Sequence, residues 1–302
     1  MPRDCSDRGD SRAFTIFGCR NANNRGLFAI VVSPTPSAQD GRTDQPPQPP
    51  TTSRFGFVPL GIGDLFTCTH YPTSLVVFLG DERLLIDCPS PLLRMFRDAS
   101  AKSGMRICMD DVRDVILTHV HGDHAGGLEC LGFYGRFNLR QHAHLWTLPE
   151  IAAELWEHRL SGSMAYDLAD DFSIEKRYQL EDFFNVHLLS PDCPTRISNA
   201  TVHVRRTRHA PACFGLKIFF EGRSLGYSSD TAYDPQHIAF LEECDVIIHE
   251  TGHKIHTPYE ALAAQPEAIR RKLRLIHIED SIEMERLELP VLEEGRYYSV
   301  EL

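Results

Sequence analysis

Apolar residues along this chain fall into short runs that predict strands, separated by segments of helical spacing or of turn composition. The first two runs, at residues 74–79 and 83–87, flank Gly80-Asp81 and predict a hairpin. Further strands are predicted over residues 112–118, 202–204, 214–220, 224–228, 245–249 and 273–277.

Helical spacing of apolar residues predicts helices over residues 91–103 and 148–160. In the second helix three residues are expected to face inward: Ile151, Leu155 and Trp156. Another helix should begin near Asp123, and Thr257-Pro258-Tyr259-Glu260 has the form of a capping box that starts a further one. Because strands and helices alternate without a linker, the sequence predicts one α/β domain over residues 54–302.

The first 53 residues differ in composition from the rest of the chain. Residues 33–53 are rich in proline, glutamine, threonine and serine and cannot bury enough apolar surface to offset chain entropy. We therefore predict a disordered, proline-rich extension over residues 1–53. The apolar run at 26–32 is too short and begins too late for a secretion signal, and no run could span a membrane.

The charge balance narrows the class of partner. The chain of 302 residues carries 31 Lys and Arg against 42 Asp and Glu, a formal net charge of −11. Such a surface disfavours non-specific nucleic-acid and anionic-membrane binding, so a small molecule or a short nucleotide is the expected substrate. Nine cysteines with no CxxC spacing are typical of free thiols in a cytoplasmic protein. A homodimer remains open.

The densest concentration of chemically active side chains is His119-Val120-His121-Gly122-Asp123-His124, directly after a predicted strand. Imidazoles and a carboxylate at a strand-to-helix turn can converge on one point, and these groups suit zinc, with iron or manganese as alternatives. Glycines at 122, 126 and 127 permit the tight turn that this convergence requires. We favour a metal site over an accidental cluster of polar loop residues.

This segment resembles the HxHxDH motif of the metallo-β-lactamase superfamily, and the resemblance covers about residues 56–280. It implies a four-layered αβ/βα sandwich with a two-metal site along one edge. The residues that match the other motifs of the family are Asp87, His209, Asp230 and His277. His277 follows Ile276, where the family usually has threonine.

The resemblance also implies roles for these residues. His119, His121 and His209 would bind one divalent ion, and Asp123, His124 and His277 the other. Asp230 would bridge the two ions, while Asp87 would orient the metal loop. Zinc is the first expectation for both ions, with manganese or iron as alternatives.

A second stretch is similar to one branch of this superfamily. His249-Glu250-Thr251 resembles the His-Glu-Ala-Thr segment of ribonuclease Z-like phosphodiesterases, and His256-Thr257 resembles their His-Ser-Thr segment. The resemblance implies that His256 is a general acid or phosphate contact and that Glu250 orients it. The competing interpretation is that His249, His253 and His256 are polar loop residues.

Together these features imply a dinuclear metal-dependent hydrolase. A metal-bound hydroxide, steered by Asp123, would attack a phosphodiester of the ribonuclease Z type or of a small or cyclic nucleotide. The same site could serve a glyoxalase II-like thioesterase or lactonase, a non-catalytic sensing scaffold, or a single iron that acts on persulfides. His124 and Asp230 argue against a class B β-lactamase, and His121 argues against oxygen reduction.

Three arginines beside His209 could bind a phosphate. Because they flank a turn after a strand, we interpret them as solvated charges instead. These residues are Arg205, Arg206 and Arg208.

Overall fold

The computed structural model describes residues 54–169 and 171–300, and these lie in one compact unit. The predicted extension over residues 1–53 lies outside the described residues. The strands of the first sheet are β1 (Phe55–Gly61), β2 (Ser74–Leu79), β3 (Glu82–Ile86), β4 (Asp114–Ile116), β5 (Ala143–Thr147), β8 (Phe184–Leu188) and β15 (Tyr298–Ser299). Their order is β15-β1-β2-β3-β4-β5-β8, parallel from β3 to β8.

The second sheet follows later in the chain. Its strands are β9 (Thr195–Ile197), β10 (Ala200–Arg206), β11 (Phe214–Phe220), β12 (Arg223–Tyr227), β13 (Val246–Glu250) and β14 (Leu273–Ile276). Their order is β14-β13-β12-β11-β10-β9, and β12, β13 and β14 run parallel. Strands β6 (Tyr166–Leu168) and β7 (Ile174–Arg177) form a separate two-stranded sheet.

The α-helices are short. They are α1 (Leu92–Ser103), α2 (Gly122–Ala125), α3 (Leu128–Phe133), α4 (Pro149–Leu155), α5 (Ser161–Met164), α6 (Pro235–Leu241), α7 (Tyr259–Ala263) and α8 (Glu267–Arg270). Single 3₁₀ turns occupy Met109–Asp111, Leu180–Asp182 and Met284–Arg286, and π-helical turns occupy Tyr134–Leu139 and Trp156–Leu160. In the part of the chain that the structure describes, no helix is long and apolar enough to cross a bilayer.

One apolar core joins the two large sheets. The rings of Phe55 in β1 and Phe220 in β11 lie 5.6 Å apart, and both belong to this core. A second apolar cluster joins Leu241 of α6 and Leu262 of α7 to Leu275 of β14, so helices cover the other face of the second sheet. Helix α1 contacts β1 and buries its apolar stripe. Two facing sheets with helices outside them agree with the predicted four-layered sandwich.

Two predicted elements differ in detail from the structure. The helix predicted over residues 148–160 is confirmed as a continuous helical segment from Pro149 to Met164, which is π-helical over Trp156–Leu160; Trp156, expected to face inward, is only partly buried. The strand predicted over residues 112–118 is confined to β4, because the chain then leaves the sheet to form the histidine-rich loop.

The capping box predicted at Thr257 is wrong. The Thr257 hydroxyl donates instead to the carbonyl oxygen of Thr231 at 2.9 Å, and α7 begins at Tyr259 with no side-chain cap. This contact ties the start of α7 to the loop after β12, so Thr257 stabilises a tertiary contact and not the helix end.

Candidate metal centre

The histidine-rich loop joins β4 to α2 at one end of the first sheet. His121 is the N-cap residue of α2, and Asp123 and His124 lie within that single helical turn. Only glycine fits at position 127, because a Cβ atom there would lie 2.3 Å from the carbonyl oxygen of Pro89. The packing of this loop against the segment after β3 directs its histidine side chains towards the second sheet.

Asp87 organises the loop, as the sequence predicts. It is fully buried directly after β3, with a left-handed backbone at φ 59°. Its carboxylate accepts hydrogen bonds from the Thr118 backbone N–H at 2.8 Å and the Thr118 hydroxyl at 2.9 Å. It also lies 2.8 Å from Nδ1 of His124. This last contact leaves Nε2 of His124 as the ring nitrogen that faces the other ligands.

The first group of candidate ligands surrounds His121. Its Nδ1 lies 3.2 Å from Nε2 of His119 and 3.1 Å from Nε2 of His209. Oδ2 of Asp230 lies 3.6 Å from Nε2 of His119 and 3.8 Å from Nε2 of His209. One ligand atom from each of these four residues therefore falls within 4.8 Å of every other, the spacing of a site that could hold a metal ion.

The second group lies beside the first and shares Asp230 with it. Oδ2 of Asp123 lies 3.4 Å from Nε2 of His124 and 3.3 Å from Nε2 of His277. Asp230 reaches the same two histidines, with Oδ1 at 3.4 Å from His124 and Oδ2 at 3.6 Å from His277. The structure thus brings together all seven residues that the sequence nominates as ligands. Asp230 lies between the two groups.

Buried polar atoms in this cluster lack partners, which tests whether the residues fit metal ions. Among the described residues, Oδ1 of Asp123, Nε2 of His124 and Oδ1 of Asp230 are buried without a hydrogen bond. Unpaired buried donors and acceptors are destabilising, and divalent cations bind this kind of nitrogen and oxygen ligand. The residues therefore fit divalent metal ions.

The protonation states differ between the two groups. Burial lowers the pKa of His209 to about 4 and holds the pKa of His119 well below its ordinary value. Both rings are then neutral at neutral pH, the form that binds a metal. Burial opposes charge on His277 as well, yet the charge of Asp230 and the hydrogen bond that Nε2–H of His277 donates to Asp123 raise its pKa to about 9. In the absence of a cation these carboxylates keep a proton on His277, and a metal ion that bound this histidine would displace the proton.

Glu250 and His256 form a pair beside the two groups. Oε1 of Glu250, at the end of β13, accepts hydrogen bonds from the backbone N–H groups of Thr231 at 2.9 Å and Thr257 at 3.3 Å. The same oxygen lies 3.2 Å from Nδ1 of His256. Burial opposes charge on His256, but this hydrogen bond and the Glu250 charge raise its pKa. The His256 ring lies 4.9 Å from the His277 ring, so the pair borders the candidate metal cluster.

The other nearby residues have different contacts. His249 is not a loop residue: it is buried in β13, where Nδ1 lies 2.7 Å from the carbonyl oxygen of Glu250, and burial lowers its pKa to about 4. Each of the three arginines before His209 pairs with a carboxylate: Arg205 and Arg208 with Asp234, and Arg206 with Glu150.

Sequence reasoning overlooked the walls of this site. Leu65 and Arg159 both approach Gly122, within 3.7 and 3.8 Å of the position that a Cβ atom would take there. Neither residue lies in a motif, and neither gives a local signal of a binding role. Only the contact between distant segments reveals their position.

Comparisons with known proteins give the family. The profile of the family described as "Anti-Pycsar protein Apyc1" matches residues 55–295. An Anti-Pycsar protein Apyc1 from Paenibacillus sp. (strain J14) is 29% identical over 234 residues, which cover 74% of this chain and 89% of the relative. The cGMP-dependent 3′,5′-cGMP phosphodiesterase A of Dictyostelium discoideum is 23% identical over 294 residues, which cover 91% of this chain but 31% of that protein.

The fold is also found among solved structures. The metallo-β-lactamase fold protein YhfI from Bacillus subtilis superposes with a TM-score of 0.64 at 16% identity, over 81% of this chain and 98% of YhfI. The predictions of the metallo-β-lactamase fold and of a hydrolase are therefore confirmed. Since the family profile spans nearly all of the described residues, this chain belongs to the Anti-Pycsar protein Apyc1 family.

Proposed function

We propose that this protein is a phosphodiesterase that opens the cyclic phosphodiester of a 3′,5′-cyclic nucleotide, with two divalent metal ions, zinc first. The observation that carries the proposal is the convergence of seven imidazole and carboxylate side chains, in which Asp230 lies within 3.8 Å of histidines of both groups, with the His256–Glu250 pair at their edge. The name of the Dictyostelium relative, a 3′,5′-cGMP phosphodiesterase, supports the choice of substrate. The acidic net charge of −11 favours a small nucleotide over folded RNA.

The ligand groups give each ion its own residues. His119, His121 and His209 would hold one ion, Asp123, His124 and His277 the other, and Asp230 would contribute to both sites. When bound, such ions act as Lewis acids on the phosphoryl oxygens and lower the pKa of a bound water. Oδ1 of Asp123 is buried without a hydrogen bond and is free to accept one from the attacking water.

His256 supplies the proton for the leaving group. Opening a cyclic nucleotide expels a ribose alkoxide, which is a poor leaving group unless it is protonated. Glu250 holds Nδ1 of His256, so Nε2 is free to donate to the leaving oxygen. Thioesters and lactones depend less on such a donor, and the His256–Glu250 pair therefore favours the phosphodiester. The resemblance of residues 249–257 to ribonuclease Z-like phosphodiesterases implies the same roles for Glu250 and His256.

We also propose that the protein is a homodimer of the reducing cytoplasm. A second copy of the chain could cover the β6–β7 hairpin, which exposes four large apolar side chains. These are Tyr166, Leu168, Phe172 and Ile174. The cysteines at 68, 88, 108, 130, 193, 213 and 244 are unpaired. Sedimentation equilibrium should give twice the chain mass for the purified protein, and a monomer at micromolar concentration would contradict the dimer.

The first test combines metal analysis with turnover. We expect about two zinc or manganese ions per chain and hydrolysis of 3′,5′-cyclic nucleotides. The variant Asp230→Asn should lose roughly 10²-fold or more in turnover, because one shared ligand serves both ions. Asp81→Asn, at an exposed turn, is the matched control and should retain activity. Two metals with turnover only of thioesters or lactones would contradict the proposal, as would one iron per chain with oxygen consumption.

A further inference from the structure

The loop of residues 64–70, here called the rim loop, reaches the mouth of the metal cluster. Gly63, just before it, bridges to Ile278, the residue after His277. At its start Cδ1 of Leu65 lies 3.7 Å from the point that a Cβ atom on Gly122 would occupy. Gly122 separates His121 from Asp123, so the rim loop borders both ligand groups.

Hydrogen bonds fix the backbone of the rim loop. Oδ1 of Asp64, which is buried, accepts the backbone N–H of Phe66 at 3.1 Å. Asp280 binds three successive residues: the Thr67 hydroxyl at 2.8 Å, the Cys68 backbone N–H at 2.7 Å and the Thr69 hydroxyl at 2.7 Å. The loop is thus held from the segment that follows His277, and its conformation is set before any substrate arrives.

The same loop exposes its largest apolar side chains. Phe66 is 81% exposed and Leu65 is 52% exposed. A fixed backbone that presents an aromatic ring and a leucine to solvent beside a polar cluster matches the anatomy of a ligand site. An aromatic face stacks on any nucleobase, because every base has a π-face.

We propose that Leu65 and Phe66 form a platform for the base of the nucleotide, and that Asp280 positions this platform. The proposal rests on the proposed function and identifies how the substrate is held outside the metal cluster.

The kinetic test compares a substrate with a base and one without. Cyclic GMP carries a base, whereas trimethylene phosphate is a six-membered cyclic phosphodiester with no sugar or base. Phe66→Ala should raise KM for cyclic GMP by roughly 5- to 150-fold, the range expected for one stacked base. Its kcat/KM for trimethylene phosphate should stay within twofold of wild type. Phe66→Trp should restore the KM for cyclic GMP.

Leu65 has a matched control in the same protein. Leu65→Ala should raise KM for cyclic GMP several-fold. Leu93→Ala removes a leucine that is equally exposed, at 50%, on α1, and should change nothing. An equal effect of the two leucine variants would overturn the platform.

Asp280 is tested as a positioning residue by a double-mutant cycle. Asp280→Ala should raise KM for cyclic GMP as Phe66→Ala does, and the double variant should be no worse than either single variant. A merely structural role would lower the thermal stability and impair both substrates equally. Additive effects on KM, or equal loss with trimethylene phosphate, would contradict the assignment.

Binding of products separates this proposal from the proposed function. Calorimetry with GMP and with ribose 5-phosphate needs no turnover, and the platform predicts that Phe66→Ala weakens GMP binding and leaves ribose 5-phosphate unaffected. If wild type hydrolyses no phosphodiester yet shows this pattern, the proposed function fails and the platform stands. Equal binding of GMP by wild type and Phe66→Ala overturns the platform, as does a change of oligomeric state as the sole effect of that variant.

Discussion

A buried carboxylate contacts Nδ1 in both His124 and His256, yet the other nitrogen of each ring lies in a different environment. Asp87 contacts His124 at 2.8 Å, and the other nitrogen of that ring is buried among ligand atoms. Glu250 contacts His256 at 3.2 Å, and the side chain of His256 stays 15% exposed. His256 thus keeps an exposed part that a substrate could reach, although one of its ring nitrogens also lies within 4.8 Å of ligand atoms of Asp230 and His277.

The role of His256 leads to a prediction about leaving groups. His256→Ala should slow hydrolysis of a 3′,5′-cyclic nucleotide by about 10²–10⁴-fold, because the ribose alkoxide needs a proton. Hydrolysis of bis(p-nitrophenyl) phosphate should fall by less than about tenfold, since nitrophenolate leaves without one. Steady-state rates on both substrates check this, with His142→Ala as the control. Equal slowing of both substrates would mean that His256 acts as a ligand or in folding.

How far single residues could be predicted depends on how local their signal is. The candidate ligands of the histidine-rich loop lie within six positions, so their density alone indicates a metal site. His209, Asp230 and His277 could be proposed only through the resemblance to the metallo-β-lactamase superfamily. Asp280 gives no such signal, because its partners Thr67 and Thr69 lie 213 and 211 residues away. In the sequence, Leu65 and Phe66 give no sign of a binding role, because apolar residues of this kind usually belong to a core. Only the fold shows that they border the cluster.

The candidate site residues lie at the carboxyl ends of strands from both sheets. Asp87 follows β3, His119 follows β4, and Asp230, Glu250 and His277 lie at the ends of β12, β13 and β14. Within each sheet these strands run parallel, so their carboxyl ends meet at one edge. The apolar runs made the strands predictable. Helical spacing predicted α1 equally well, whereas the start of α7 was assigned to a capping box, because the tertiary hydrogen bond of Thr257 is not described by helix-capping rules.

Helix α6 yields a prediction about acid stability. His237 on this helix is fully buried, its Nε2 lies 3.1 Å from the carbonyl oxygen of Ser228, and burial lowers its pKa to about 3. His249 and Arg205 nearby disfavour its charge further, whereas Asp234 favours it. Between its unfolded pKa of about 6.5 and pH 3, only the unfolded chain binds this proton. The contribution of His237 to stability is therefore complete above about pH 6.5 and is lost as the pH falls.

The measurement compares the pH dependence of two metal-free proteins. In urea unfolding between pH 7 and 4.5, wild type should lose up to about 1.4 kcal/mol more per pH unit than His237→Gln. Other groups that titrate in this range affect both proteins alike and cancel in the difference. The exposed His158→Gln should follow wild type. Parallel curves for wild type and His237→Gln would show that His237 titrates normally in the fold.

At the scale of the whole molecule, the candidate metal centre joins the two sheets. Asp87, His119 and His124 come from the side of the first sheet, whereas His209, Asp230 and His277 come from the second. Bound cations would therefore cross-link the two halves of the core. Because the ligand atoms converge only in the folded chain, the free energy of metal binding adds to the free energy of unfolding.

Removal of metal should therefore lower the melting temperature. An ion present at about 100 times its Kd stabilises a protein by about 2.7 kcal/mol, and each kcal/mol moves the Tm of a domain of this size by about 2–4 °C. Two ions thus predict a Tm that falls by about 10 °C or more in EDTA and recovers with added zinc. Differential scanning calorimetry of wild type and Asp230→Asn checks it, because the variant lacks the shared ligand and should lose most of the shift. Asp81→Asn should keep the full shift. An unchanged Tm in EDTA, with metal loss verified by analysis, would mean that the seven residues form a polar cluster whose stability does not depend on cations.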